Sequence, residues 1–181
     1  MLRKFCSWLL YRKMGWTKEI TVDHPDKFII CLAPHTSNWD FILGQLYSRA
    51  EGMKINYLMK NEWFVWPLSI FFRKTGGIPV YRQKKMSMTD TLAQAARKAK
   101  TFRLCITPEG MRSRNPDWKK GFYFVAAKAE IPVLLYAVDF EKKLIRCTKS
   151  FIPSGDVETE MAMIKEYFGG CKGKYPEKFA V

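Results

Sequence analysis

The chain has 181 residues, enough for one domain with a sizeable core, and its 48% hydrophobic and 15% aromatic content excludes an intrinsically disordered protein. Thirty-one basic residues against 17 acidic ones leave a formal charge of +14, so the expected partner is anionic: nucleic acid, an anionic membrane surface or a phosphorylated substrate. Five scattered cysteines without a Cys-x-x-Cys pair, and only two histidines, argue for a reduced, cytosolic compartment and against a zinc or histidine-based metal site.

No segment reaches the roughly 20 apolar residues of a membrane-spanning helix, so the chain is not expected to cross a bilayer on its own. The apolar run Cys6 to Tyr11 is also too short for a secretory signal. Residues 1–18 read as a short amphipathic N-terminal helix. Leu2, Phe5, Cys6 and Leu9 follow helical spacing, and Arg3, Lys4, Arg12, Lys13 and Lys18 surround them. Such a helix can lie in a headgroup layer, where each basic residue contributes about 1 kcal/mol next to anionic lipid. Residues 19–181 read as a single α/β domain.

Phe28 to Leu32 is a continuous apolar run and predicts a buried strand. Thr36, Ser37 and Asn38 are good N-cap residues, and apolar positions from Phe41 to Ala50 recur at helical spacing. His35 and Asp40 therefore sit where a strand hands over to a helix, at the strand's carboxyl end, where open α/β sheets place ligands. An aspartate in the first helical turn can reach back to an imidazole in the preceding loop. It would fix the ring's tautomer and leave the other nitrogen to take a proton.

Lys54 to Met59 predicts a second strand that Lys60 closes at the same edge as His35. Asn61 is expected to cap a helix over Glu62 to Lys74, whose Trp63, Phe64, Val65, Trp66, Leu68, Ile70, Phe71 and Phe72 leave little polar face. Such a helix is either buried in the core or forms a greasy wall or interfacial belt. Gly76 to Arg82 reads as a glycine turn into a short strand ending on an arginine. Ser87-Met88-Thr89-Asp90 has capping-box form and opens a polar helix to about Lys100. Arg103 to Thr107 is the next strand, and it ends at Pro108-Glu109-Gly110-Met111-Arg112. There a carboxylate, a permissive glycine and a guanidinium suited to phosphate crowd one strand end. Beyond it the pattern gives a helix over Lys119 to Ala129, a buried strand to Val138, an antiparallel partner over Leu144 to Thr148, and a last helix from Asp156 to Tyr167.

The order and content of these strand ends resemble the glycerolipid acyltransferase family, whose best-known activity acylates 1-acylglycerol-3-phosphate. His35-Thr36-Ser37-Asn38-Trp39-Asp40 matches its His-x-x-x-x-Asp motif, and Gly76/Gly77-Ile78-Pro79-Val80-Tyr81-Arg82 its Gly-x-Ile-Pro-Val-x-Arg motif. Pro108-Glu109-Gly110-Met111-Arg112-Ser113 matches Pro-Glu-Gly-Thr-Arg-Ser, with Met111 in place of the usual threonine. Ile131-Pro132-Val133 matches the fourth, an apolar strand carrying a proline. The phrase around Trp39 is similar to a compact bacterial branch.

The resemblance implies a mostly parallel central sheet flanked by helices, and acyl transfer from a thioester, acyl-coenzyme A or acyl carrier protein, to a lysophospholipid hydroxyl. His35 would be the base and Asp40 its orienting group. Lys60, Arg82 and Arg112 would hold the acceptor phosphate, and Glu109 with Gly110 the glycerol portion or those cations. It implies no cofactor or metal, and a peripheral position at the cytoplasmic face of the cell membrane. Other acceptors, such as a lyso-ornithine lipid, and a non-catalytic membrane-surface protein remain alternatives. Nucleic acid is not favoured, because the basic residues are dispersed and no nucleic-acid-binding motif is present.

Overall fold

The computed structural model describes residues 1–80 and 87–181. Eight strands among them form one sheet: β1 (Thr17–Ile20), β2 (Lys27–Ala33), β3 (Asn56–Lys60), β4 (Gly77–Val80), β5 (Phe102–Ile106), β6 (Val133–Asp139), β7 (Leu144–Cys147) and β8 (Ser150–Phe151). Their order across the sheet is β1-β7-β6-β2-β5-β3-β4, with β8 also pairing β6. From β6 to β4 every pairing is parallel. The hairpin partner β7 runs antiparallel to β6, and β1 adds to it in parallel.

Strand alternation builds two cores from one sheet. Ile29, Cys31 and Ala33 of β2, with Val133, Leu135 and Ala137 of β6, face helices α4 (Met88–Lys98), α5 (Gly121–Ala129) and α6 (Val157–Phe168). The intervening Phe28, Ile30, Leu134, Tyr136 and Val138 face α1 (Leu2–Ser7) and α2 (Asn38–Glu51). Helices therefore cover both faces of the sheet, and β2 and β6, apolar on both sides, lie in its middle.

The parallel register sets the working edge. Ile29 of β2 stands opposite Leu104 of β5, and Leu104 opposite Asn56 of β3. Four residues further along lie Ala33 and Lys60, the last residues of β2 and β3, and Pro108, two residues past the end of β5. The loops that follow them open side by side, with neighbouring strands about 4.8 Å apart.

Three elements depart from the sequence reading. The predicted helix over Glu62 to Lys74 is instead a 3-10 turn, Asn61–Trp63, and a short α3 (Leu68–Lys74). Lys60, not Asn61, stands at the cap of that turn. Pro67 is the physical reason for the break, because it removes an N–H and disfavours helix in the residue before it. This segment is no core helix: Trp63, Val65, Ile70 and Phe71 are exposed, and Trp66 is 82% exposed. At the N-terminus, α1 continues as a π-helical segment, Trp8–Lys13, and Thr17–Ile20 is an edge strand the pattern did not reveal. Cys6 and Leu10 anchor this N-terminal helix on α2, and Arg3 Nε donates to Ala50 O at 3.2 Å. The β6–β7 hairpin and the last helix formed as the pattern required.

Candidate active site

His35 and Asp40 meet through the local rules that begin α2. Ser37 is the N-cap and Asp40 occupies the third helical position, closing a capping box. Asp40 Oδ2 accepts from Thr36 N at 2.7 Å and Ser37 N at 2.8 Å. The same oxygen lies 3.2 Å from His35 Nδ1. The Nδ1 contact is off the direction of a linear hydrogen bond, and Nδ1 is buried with no other partner among the described residues. Unliganded sites commonly hold such contacts in loose geometry until substrate closes them. Asp40 has no exposed side-chain surface, while the His35 side chain keeps 14% of its own open. A fixed anion at Nδ1 selects the tautomer protonated there and leaves Nε2 as the basic nitrogen.

The loop after β5 supplies the third member. Glu109 Oε2 accepts the His35 backbone N–H at 2.6 Å, across 74 positions of sequence. Glu109 is 3% exposed, and burial, opposed by the accepted His35 N–H and reinforced by the neighbouring Asp40 charge, pushes its carboxyl up to about 8. The loop is pinned on both sides: Gly110 N donates to Thr107 O, Lys119 N to Pro108 O, and Asn115 Nδ2 to Glu109 O at 2.7 Å. Gly110 has φ +71, a left-handed turn that glycine adopts without strain.

The motif cations stand apart from this buried trio. Lys60 ends β3 at the same edge and is exposed. Arg112 is exposed in the loop after β5. Arg82 lies outside the described residues. Among those described, no three His, Cys, Asp or Glu side chains gather as metal ligands.

One contributor has no motif. The C-terminal segment passes over the histidine loop, where Tyr175 N donates to Thr36 Oγ1 at 3.2 Å. A side chain at Gly173 would meet Thr36 Oγ1 at 2.6 Å, so glycine is what allows the approach. Trp118 Nε1 donates to Ala180 O at 2.9 Å and ties down the segment's end. Nothing in the local sequence signals this contact.

A cavity of about 800 Å³ opens beside Trp39 at the start of α2. Leu9, Trp39, Ile42, Leu46 and Phe71 give it apolar walls, and Lys13, Arg49, Lys143 and Lys174 are its cations. A second cavity, about 710 Å³, lies towards the other end of α2 between Trp8, Tyr11, Arg3, Lys4, Arg12 and Lys18. Lys18 there pairs with Glu51 at 2.6 Å.

The sequence profile of the family described as Acyltransferase matches residues 18–138, a span that holds His35, Asp40 and Glu109. The chain belongs to the acyltransferase family. Its fold is similar to that of the 1-acyl-sn-glycerophosphate (LPA) acyltransferase PlsC from Thermotoga maritima, with a TM-score of 0.63 at 15% identity. The match covers 91% of this chain and 76% of that one, and at such identity the likeness concerns the fold alone. No curated protein sequence matches the chain. Within that matched span the sheet brings the loop of His35 and the loop of Glu109 into direct contact.

Proposed function

We propose that this acyltransferase moves a fatty acyl group from an acyl thioester to the hydroxyl of a lysophospholipid, 1-acylglycerol-3-phosphate, at a bilayer surface. The observation that carries the reading is His35 Nδ1 set 3.2 Å from a buried Asp40 carboxylate at the open edge of the sheet. His35 Nε2 takes the acceptor's hydroxyl proton as that oxygen attacks the thioester carbonyl. Asp40 stabilises the imidazolium, the tetrahedral intermediate collapses, and the departing thiolate takes the proton back from His35. The substrate's own hydroxyl replaces an enzyme nucleophile, and no cofactor enters the scheme. Lys60 and Arg112, with Arg82 by motif resemblance, are assigned to the acceptor phosphate. Coenzyme A and acyl carrier protein thioesters are both polyanionic and both suit the +14 charge as donors.

The bilayer enters through exposed apolar surface edged with cations. Trp63, Trp66, Ile70 and Phe71 stand out between β3 and β4, Trp39 and Ile42 on α2, and Leu2, Phe5 and Trp8 on the N-terminal helix. The larger cavity touches all three groups of elements. Apolar side chains mixed with lysine and arginine suit an anionic lipid interface. Among the described residues, no helix is long and apolar enough to cross a membrane. The proposed location is peripheral, on the cytoplasmic face of the cell membrane.

The test is mass spectrometry of lipids after incubation with acyl-coenzyme A or acyl carrier protein and a panel of acceptors. The expected product is diacylglycerol phosphate from 1-acylglycerol-3-phosphate. Equal acylation of a lyso-ornithine lipid would overturn the phosphate assignment and keep the chemistry. No acyl transfer to any acceptor would leave a non-catalytic surface protein.

A further inference from the structure

The two oxygens of Glu109 are in different situations. Oε2 holds the His35 amide at 2.6 Å and so ties the loop after β5 to the loop after β2. Oε1 is buried and has no hydrogen-bond partner among the described residues. The titratable groups around this carboxyl are Asp40 from α2, Cys31 from β2 and His35 from the loop between them. The Cys31 thiol is held neutral by burial. Lys119 and Arg112 belong to the carboxyl's own loop and are exposed, with the Lys119 side chain lying against Gly110.

We propose that Glu109 is a positioning residue that works as a neutral carboxylic acid, clamping the His35 backbone so that the imidazole meets Asp40 as its only anion. The proposal rests on the acyl-transfer reading above. It departs from the role the motif resemblance implies, in which an anionic Glu109 binds glycerol or orients cations. Burial favours the protonated form most and the Asp40 charge adds to it; together they outweigh the His35 amide bond, which favours the ionised form, and leave the carboxyl raised to about 8. Ionised, it would add a second buried carboxylate to a pocket already holding Asp40, with one oxygen still unpartnered. Water would be drawn in and the loop that places His35 would loosen. Glutamine has the same shape, can accept the His35 amide with its carbonyl, and cannot ionise. The two roles therefore predict opposite outcomes for one substitution.

The experiment measures kcat and acceptor KM for wild type, Glu109→Ala and Glu109→Gln between about pH 6 and pH 10, with acyl-coenzyme A and 1-acylglycerol-3-phosphate. Glu109→Ala should lower kcat about 10²-fold, as misplacement of a reacting group by about 1 Å does, with acceptor KM little changed. Glu109→Gln should restore most of that loss. Wild-type kcat should fall as pH rises through about 8, and the Glu109→Gln profile should lack that limb. A glutamine variant as damaged as alanine, a defect in KM alone, or an alkaline limb that survives in Glu109→Gln would each overturn the proposal. The wild-type and glutamine profiles decide the matter even where the alanine variant fails to fold. Wild type inactive with every donor and acceptor would bring down the acyl-transfer reading, and this proposal with it. Failure of the glutamine variant beside an active wild type overturns the proposal alone.

Discussion

Asp40→Asn separates the chemistry of the site from its architecture. Asp40 Oδ2 serves Thr36 N, Ser37 N and the imidazole together, while Oδ1 has Ser37 Oγ at 3.4 Å. An asparagine can keep its carbonyl at the first position and turn its NH2 towards the Ser37 hydroxyl. The capping contacts survive but weaken, because a neutral carbonyl accepts less strongly than a carboxylate, and the charge is lost. Weakening a helix cap costs about 1 kcal/mol. In a chain of this size that lowers Tm by about 2–4 °C. The effect on rate is far larger. A carboxylate 3.2 Å from a developing imidazolium is worth about 5 kcal/mol at an effective dielectric near 20. At about 1.36 kcal/mol per decade this approaches a 10⁴-fold loss of kcat, in line with the ~10⁴-fold loss on neutralising a triad aspartate. Steady-state kinetics beside thermal unfolding would read both numbers. A kcat within tenfold of wild type would refute the charge argument, and outright unfolding would refute the claim that asparagine preserves the cap.

Arg112→Ala should raise KM several-fold for phosphorylated acceptors and leave other acceptors unchanged; an equal rise for both would assign Arg112 a structural role. Trp66→Ala, at a side chain 82% exposed, should weaken binding to anionic vesicles about tenfold or more, from the 1.5–3 kcal/mol a large apolar side chain gains on burial, without lowering Tm. Unchanged vesicle sedimentation would remove the segment from the bilayer contact. Glu109 also sets a sign for stability against pH. Its folded carboxyl keeps a proton that the unfolded chain releases near 4.5, so its contribution is full below that value and is lost as pH rises towards about 8. Wild-type Tm should therefore decline over that window relative to Glu109→Gln, and parallel curves would contradict the assignment.

What could be read from the sequence was what depends on neighbours along the chain. Ser37 and Asp40 lie three residues apart, so helix-capping rules place them without any knowledge of the sheet. The unbroken apolar run of β2 marks a strand buried on both faces. The contact of Glu109 with His35 spans 74 positions and depends on the β2–β5 register, which no local pattern encodes. Its motif gave the residue but not its partner. Trp66-Pro67 carried a legible helix break, yet the dense apolar spacing around it argued for one long helix, and the proline decided. The short edge strand β1, Thr-Lys-Glu-Ile, is too polar to announce itself and forms because β7 offers it a partner. Gly173 resembles any tail glycine until Thr36 is seen against it.

His35 as the base of the proposed acyl transfer is probed by comparing wild type with His35→Ala for thiol release from acyl-coenzyme A and for diacylglycerol phosphate formed from 1-acylglycerol-3-phosphate. Wild type should give matched thiol and product, and the variant neither above background while its unfolding curve remains cooperative. Turnover by His35→Ala at the wild-type rate would contradict that role.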